Sequence, residues 1–154
     1  MPGKETKEER LDRELVELLN ELRVALPGVQ VLFAFLLSIP FTERFAKLPD
    51  LQRDLYFAAF IATALSSVLL MTPTAYHRLR WRQYDKEHML RLSNVLTIIG
   101  ISFLALAIAL VVFVVTDLVF FGSAAAVATG IVSGAAVLFW FVIPLTRRIA
   151  DDEG

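Results

Sequence analysis

The segment ELRVALPGVQVLFAFLLSIPF, from Glu21 to Phe41, joins two kinds of sequence. It begins as a charged helix and ends as an apolar run close to the length that crosses a bilayer, at about 1.5 Å of rise per residue. Pro27, Gly28 and Gln30 lie at the change from charged to apolar. Proline suits the first turn of a helix and disfavours helical geometry at the residue before it. The pattern therefore predicts a bend at Pro27-Gly28, between an outer helix and a membrane-spanning helix.

The composition of the whole chain indicates the same environment. Apolar residues make up 56% of the 154 residues, and the mean hydropathy is +0.62. The 15 basic and 16 acidic residues lie almost wholly outside the apolar runs, whereas a soluble domain mixes charges along its length. A net charge of −1 provides no basic field for nucleic acid, and the lack of cysteine excludes disulfides and thiolate metal sites. We therefore predict an all-α integral membrane protein whose main partner is the lipid bilayer.

Four apolar runs are each long enough to cross a bilayer, which takes about 20 residues of helix. The predicted spans cover residues 24–43, 54–74, 92–115 and 118–144. Only Thr116-Asp117 separates the last two, so we predict a tight hairpin there with Asp117 as the N-cap of the fourth helix. The chain then divides into a cytoplasmic amphipathic helix over residues 1–26, a four-helix transmembrane bundle over 27–148 and a cytoplasmic tail over 149–154.

The distribution of basic residues predicts the topology. With four spans, both termini lie on one side together with twelve basic residues, and only Arg44, Lys47 and Arg53 lie on the other. With three spans the division is eight against seven, which gives no bias. Because basic residues concentrate in cytoplasmic segments, four spans with both termini in the cytoplasm are favoured. The expected location is a bacterial plasma (inner) membrane.

The N-terminal helix carries an apolar seam. Leu11, Leu15, Leu18 and Leu22 are spaced four, three and four residues apart, which places them on one helical face. The opposite face is more acidic than basic, so attraction to an anionic lipid surface is weak. The seam favours packing against another membrane protein or a second copy of the chain. The alternative is an amphipathic lead-in without a partner.

Small residues form stripes on the predicted spans. The second span carries Ala58, Ala62 and Ser66, and the fourth carries a longer stripe of Gly122, Ala126, Gly130 and Gly134. In lipid, helices are held together by close backbone approach over small residues. The long stripe on the fourth span predicts a helix–helix contact, either with a second copy in a homo-oligomer or within the chain.

A cluster of polar residues is predicted near the cytoplasmic ends of the first three spans. Strongly polar groups in hydrocarbon need hydrogen-bond partners, so Gln30 and Asn94 are expected to bond to each other or to neighbouring groups. The functional interpretation is a polar vestibule, and the structural one is bonding between helices with interfacial anchors. The candidate cluster contains Gln30, Tyr76, His77, Arg78, Arg91 and Asn94.

Two segments, ELLNELRVALPGVQVLFAFLLSIPF from Glu17 and PTAYHR from Pro73, carry a family resemblance. The chain resembles a family of small bacterial four-span membrane proteins catalogued as a domain of unknown function. The resemblance covers the chain from about Leu15 to Arg148. Some members carry an automatic sodium:proton antiporter label, which implies ion transport. The family supplies no catalytic residues to transfer to this chain.

The residues themselves argue against that label. Transport of Na⁺ or H⁺ usually needs an ionisable side chain at membrane depth, and none lies in the interior of the four predicted spans, since Asp54 and Asp117 lie at the outer ends. His77 and His88 lack the spacing of zinc ligands, so no metal, cofactor or enzymatic activity is predicted. We expect a non-enzymatic membrane component that is oligomeric or binds a partner. The alternative is a small oligomeric ion or proton transporter or channel.

Overall fold

The computed structural model describes residues 6–79, 86–120 and 123–146, which are helical over almost their whole length and contain no strand. Two short 3-10 turns, Ile39–Phe41 and Phe45–Lys47, lie between the first two helices. A π-helical turn, Leu138–Val142, extends the last helix. The four α-helices are α1 (Lys7–Ser38), α2 (Asp50–Leu79), α3 (Lys86–Phe120) and α4 (Ser123–Val137).

Four helical segments are long and apolar enough to cross a membrane. They contain 35, 27, 34 and 24 residues, and their most apolar windows have mean hydropathies of 2.0, 1.9, 3.1 and 2.2. Each exceeds the roughly 20 residues that a bilayer requires. The prediction of an all-helical chain with four such helices is therefore confirmed. The segments are Lys7–Phe41, Asp50–Tyr76, Glu87–Phe120 and Ser123–Thr146.

The first helix does not end at Pro27. The predicted separation into an outer helix and a membrane-spanning helix is wrong, because α1 is one α-helix from Lys7 to Ser38 with Pro27 inside it. Proline lacks the N–H that would bond to the carbonyl four residues earlier, which normally weakens a helix interior. Packing outweighs that local cost, because a buried row continues on both sides of Pro27. The row consists of Leu15, Leu22, Val29 and Leu36, which are at most 8% exposed and lie at seven-residue intervals.

The predicted hairpin at Thr116-Asp117 is also wrong. Both residues lie inside α3, which continues to Phe120, and α4 begins at Ser123. The Asp117 carboxylate therefore does not cap α4. Its Oδ2 instead accepts a hydrogen bond of 2.6 Å from Gln52 Nε2 on α2. This partner satisfies the carboxylate within a continuous helix, so the chain does not need to turn there.

Helices α2 and α3 bury residues with coiled-coil periodicity. On α3, Ser93, Gly100, Ala107 and Val114 are buried at seven-residue intervals. On α2 the intervals alternate between three and four residues, which is the spacing of a and d positions. Half of the residues in the buried α2 row are small (Ala, Thr or Ser), so neighbouring backbones can approach closely there. The buried α2 row is Tyr56, Ala59, Thr63, Ser66, Leu70 and Pro73.

The chain forms two compact units. One contains residues 1–38 and 63–103, and the other contains residues 39–62 and 104–154. In the second unit, the Phe45 ring contacts the Tyr56 ring edge-on, with centroids 5.1 Å apart, which fixes the second 3-10 turn to α2. The first unit contains the groove described next.

Candidate functional site

A groove of about 490 Å³ lies between α1 and the first turns of α3. Three leucines give it an apolar lining: Leu11 and Leu18 from α1, and Leu90 from α3. Asn94 adds an amide on the α3 side. Charged side chains complete the lining, namely Lys7, Arg10, Glu14, Glu87 and Arg91. This α1–α3 groove is thus amphipathic, with hydrocarbon and both signs of charge within one cavity.

Ion pairs organise the charged lining. Lys7 Nζ lies 2.7 Å from Glu87 Oε2 and joins α1 to α3. Arg10 Nε lies 2.8 Å from Glu14 Oε1, one helical turn along α1. Arg91 Nη2 lies 4.0 Å from Glu87 Oε1, beyond hydrogen-bonding distance, and its side chain is 78% exposed. Glu87 already accepts a hydrogen bond from Lys7. Of these three cations, Arg91 therefore has the longest distance to its carboxylate partner.

A capping box fixes the start of α1 beside the groove. The Thr6 N–H donates to Glu9 Oε2 at 2.9 Å, and the Glu9 N–H donates to Thr6 Oγ1 at 3.3 Å. The backbone bond from Thr6, helped by its side chain, lowers the pKa of the Glu9 carboxyl. Sequence reasoning missed this motif, although a threonine followed three residues later by glutamate is its signature.

The four leucines of the predicted α1 seam differ in how far the rest of the chain covers them. Leu15 and Leu22 are buried within the chain, and Leu11 and Leu18 are half-buried and line the groove. Part of the seam that was expected to receive a partner is therefore covered by the chain itself. The exposed apolar residues Val16 and Val24 lie outside this seam.

The described residues of the predicted polar cluster have different surroundings. Arg91 and Asn94 both line the groove, three residues apart on α3. Gln30 is exposed on α1, and among the described residues no hydrogen bond joins it to Asn94. Tyr76 is half-buried and Arg78 is exposed, and neither lines the groove, while the side chain of His77 lies outside the described residues.

The closest packing occurs between α2 and α3. A Cβ added at Gly100 would lie 2.9 Å from both Cγ and Cδ2 of Leu70, and 3.3 Å from Cβ of Leu69. In the same contact, Ser66 Oγ donates a hydrogen bond of 2.8 Å to the Gly100 carbonyl oxygen. The α2 stripe pointed to this contact from one side. Gly100 was missed, because a lone glycine in an apolar helix gives no stripe.

The glycine stripe of α4 has a different environment. Nothing lies within 4 Å of a Cβ added at Gly130 or Gly134, and Ala126 is exposed. Gly122 lies outside the described residues. The described residues therefore supply no helix–helix contact at Gly130 or Gly134, while Ala125, about 140° around the helix from Gly130, is buried. The alternative, a contact between this stripe and a second copy of the chain, stays a prediction.

Two further features of the described part of the chain concern metal ligands and buried polar atoms. No three histidine, aspartate or glutamate side chains there lie close enough to share a metal ion. Three side-chain atoms are buried without a hydrogen-bond partner: Gln52 Oε1, Thr97 Oγ1 and Thr129 Oγ1. None of these three groups is ionisable.

Comparison with known proteins places this architecture in a family. The model of a family of unknown function, DUF6328, matches residues 4–144. The chain belongs to this family. The match covers α1, the buried rows of α2 and α3 and the glycine stripe of α4, so these features lie within the family region. No curated protein and no solved structure matches the chain.

Proposed function

We propose that the protein is a non-enzymatic integral membrane component that assembles with copies of itself through α4. The supporting observation is the open glycine face, where Gly130 and Gly134 have no neighbour within 4 Å of an added Cβ. The most apolar window of the α4 segment contains no buried residue, whereas those of the other three spans are 11–33% buried. Since apolar burial gains nothing in lipid, a span with few contacts gains from close packing with another helix.

The exposed surface of α4 suits such a contact. Ala126, Gly130 and Gly134 are spaced by four residues, so they follow one another along one side of the helix. A two-fold axis would bring this surface of one copy against the same surface of a second copy, and the small residues would let the two helix backbones approach closely. Val127 and Ile131 are exposed along one side of this stripe and supply side chains that can pack against the stripe of a second copy. A second copy is therefore the occupant we expect.

The expected orientation has both termini in the cytoplasm of a bacterial cell. It rests on the twelve-to-three distribution of basic residues. The helices α1 and α3 begin in charged sequence and continue into apolar sequence in the same direction. The α1–α3 groove is then expected at the cytoplasmic surface of the membrane.

The mass of the full-length chain in detergent and in lipid nanodiscs tests the assembly. The parent is expected at a multiple of 17.2 kDa. Gly130→Leu should shift the measured mass toward that of the monomer without lowering monomer stability, because no described residue lies within 4 Å of a Cβ added at Gly130. Ala135→Leu is the matched control: it is exposed, and it lies about 140° around the helix from Gly130. A monomeric parent in lipid, or equal shifts in both variants, would refute assembly through α4.

An ion-flux assay distinguishes the proposed function from the alternative, a small oligomeric ion or proton transporter or channel. The sequence between the ends of each predicted span contains no Asp, Glu, Lys, Arg or His, and such groups normally mark ion and proton paths. We therefore expect liposomes with the parent to give no ion-driven flux above empty liposomes. Robust flux that disappears in Gly130→Leu would establish an oligomeric transporter or channel instead.

A further inference from the structure

The α1–α3 groove has an unbalanced charge. Three cations line it, Lys7, Arg10 and Arg91, against the two carboxylates of Glu14 and Glu87. Glu87 is 2.7 Å from Lys7 but 4.0 Å from Arg91, so its charge is shared between two cations. The groove therefore has a formal charge of +1, and one monovalent anion would neutralise it.

Two donors are placed side by side in the same groove. Arg91 and Asn94 are three residues apart on α3, which puts their side chains on neighbouring positions of one helical face. Both are exposed, and both line the cavity. A guanidinium and an amide can together donate several hydrogen bonds to the oxygens of one phosphate.

The apolar lining indicates the rest of the ligand. Leu11, Leu18 and Leu90 line the same cavity as the two donors. A ligand can therefore place its hydrocarbon part against these leucines while its phosphate contacts Arg91. Asn94 directly precedes Val95, where the long apolar run of α3 begins. If α3 crosses the membrane, the groove lies at the depth of the lipid phosphates.

We propose that the α1–α3 groove binds the phosphate of an anionic phospholipid headgroup. Arg91 pairs with the phosphodiester, Asn94 donates a hydrogen bond to it, and the leucines contact the glycerol and the upper acyl chain. A headgroup with a net charge of −1 matches the groove, whereas a zwitterionic headgroup brings an ammonium that cancels this advantage. The inference rests on membrane insertion, as the proposed function does, and is independent of assembly through α4.

The test compares phosphatidylglycerol with phosphatidylcholine on the purified full-length chain. Native mass spectrometry counts retained lipids, and thermal unfolding in detergent with added lipid gives an apparent affinity. Arg91→Gln should weaken the phosphatidylglycerol response about tenfold or more, the loss expected for a charge-assisted hydrogen bond. Asn94→Leu should weaken it less. Helicity should be unchanged, since both side chains are exposed.

Arg23→Gln is the control. It removes an equal charge from an exposed position next to the apolar run of α1, outside the groove, and should change the response by less than about twofold. Equal responses to the two lipids, or equal losses in Arg91→Gln and Arg23→Gln, would overturn the proposal. Protection by inorganic phosphate as strong as that by phosphatidylglycerol would also overturn it and indicate a soluble anion. The masses of the same samples test the α4 assembly separately. A monomer that still prefers phosphatidylglycerol would refute the assembly and support lipid binding in the α1–α3 groove.

Discussion

Ser66 on α2 donates its hydroxyl hydrogen to the carbonyl oxygen of Gly100 on α3, with 2.8 Å between the two oxygens. Ser66 is fully buried, and Leu70, one turn further along α2, lies against the space beside Gly100. The glycine lets the two backbones approach, and the approach brings the carbonyl within reach of the serine. A polar bond and a packing contact thus hold the same pair of helices.

Gly100→Ala should destabilise the chain by about 1–3 kcal/mol, the range for overpacking a tight contact. The new Cβ would lie 2.9 Å from two Leu70 atoms, and Leu70 is fully buried and has little room to move. Gly28→Ala is the control, because nothing lies within 4 Å of its added Cβ and Gly28 lies outside the proposed α4 contact. It should be neutral or gain up to about 1 kcal/mol of helix propensity. Thermal unfolding in detergent measures both, and equal effects would contradict the close approach at Gly100.

Ser66→Ala should cost about 0.5–1.5 kcal/mol, because it removes one hydrogen bond between helices. The matched control is Ser67→Ala. The Ser67 hydroxyl bonds to the carbonyl of Thr63 in its own helix at 3.0 Å, so its loss should leave the α2–α3 contact intact. Unfolding of the two variants under the same conditions gives the comparison. A larger loss in Ser67→Ala would show that the Ser66–Gly100 bond does not stabilise the chain.

The capping box makes the start of α1 sensitive to acid. Hydrogen bonding lowers the pKa of Glu9 below its ordinary value of 4.5. A carboxyl with a lowered folded pKa contributes stability above the ordinary value and loses it as the pH falls through the folded pKa. The first turn of α1 should therefore hold at neutral pH and fray in acid, as followed by NMR titration of the Glu9 carboxyl carbon.

Thr6→Ala tests the cause of that shift. It removes the hydroxyl that accepts from Glu9 N–H but keeps the backbone N–H that donates to the carboxylate. The titration midpoint of Glu9 should rise part of the way to 4.5, and Thr6→Ser should behave like the parent. An unchanged midpoint in Thr6→Ala would mean that the threonine side chain has no part in the shift.

The topology can be tested with single cysteines, because the natural chain has none. Lys47 is exposed in the 3-10 turn before α2, and it is expected outside the cell, whereas Arg80 is expected in the cytoplasm. An impermeant thiol reagent on intact cells should label Lys47→Cys and leave Arg80→Cys unlabelled until the cells are opened. The reverse labelling would invert the topology.

The polar sites could be predicted only in part. Asn94 and Arg91 were recognised as polar groups near the start of an apolar run, and they share the groove. Gln30 was grouped with them because both helices were expected to enter the membrane from the same side. Depth along a helix does not determine direction around it, and Gln30 is exposed while its neighbour Val29 is 1% exposed and joins the buried row. The groove itself depends on the pairing of α1 with α3, which no local pattern encodes.

Four long apolar helices could be predicted from the sequence, because length and apolarity are properties of a single segment. Tertiary structure decided where those segments end and what their faces meet. Pro27 lies within α1 because a buried row continues past it, and Asp117 lies within α3 because Gln52 donates to it. Two small-residue stripes of similar composition also differ: Ser66 on α2 is buried, while Gly130 on α4 is open. A stripe specifies a surface of a helix, and only the arrangement of the other helices decides whether that surface is covered.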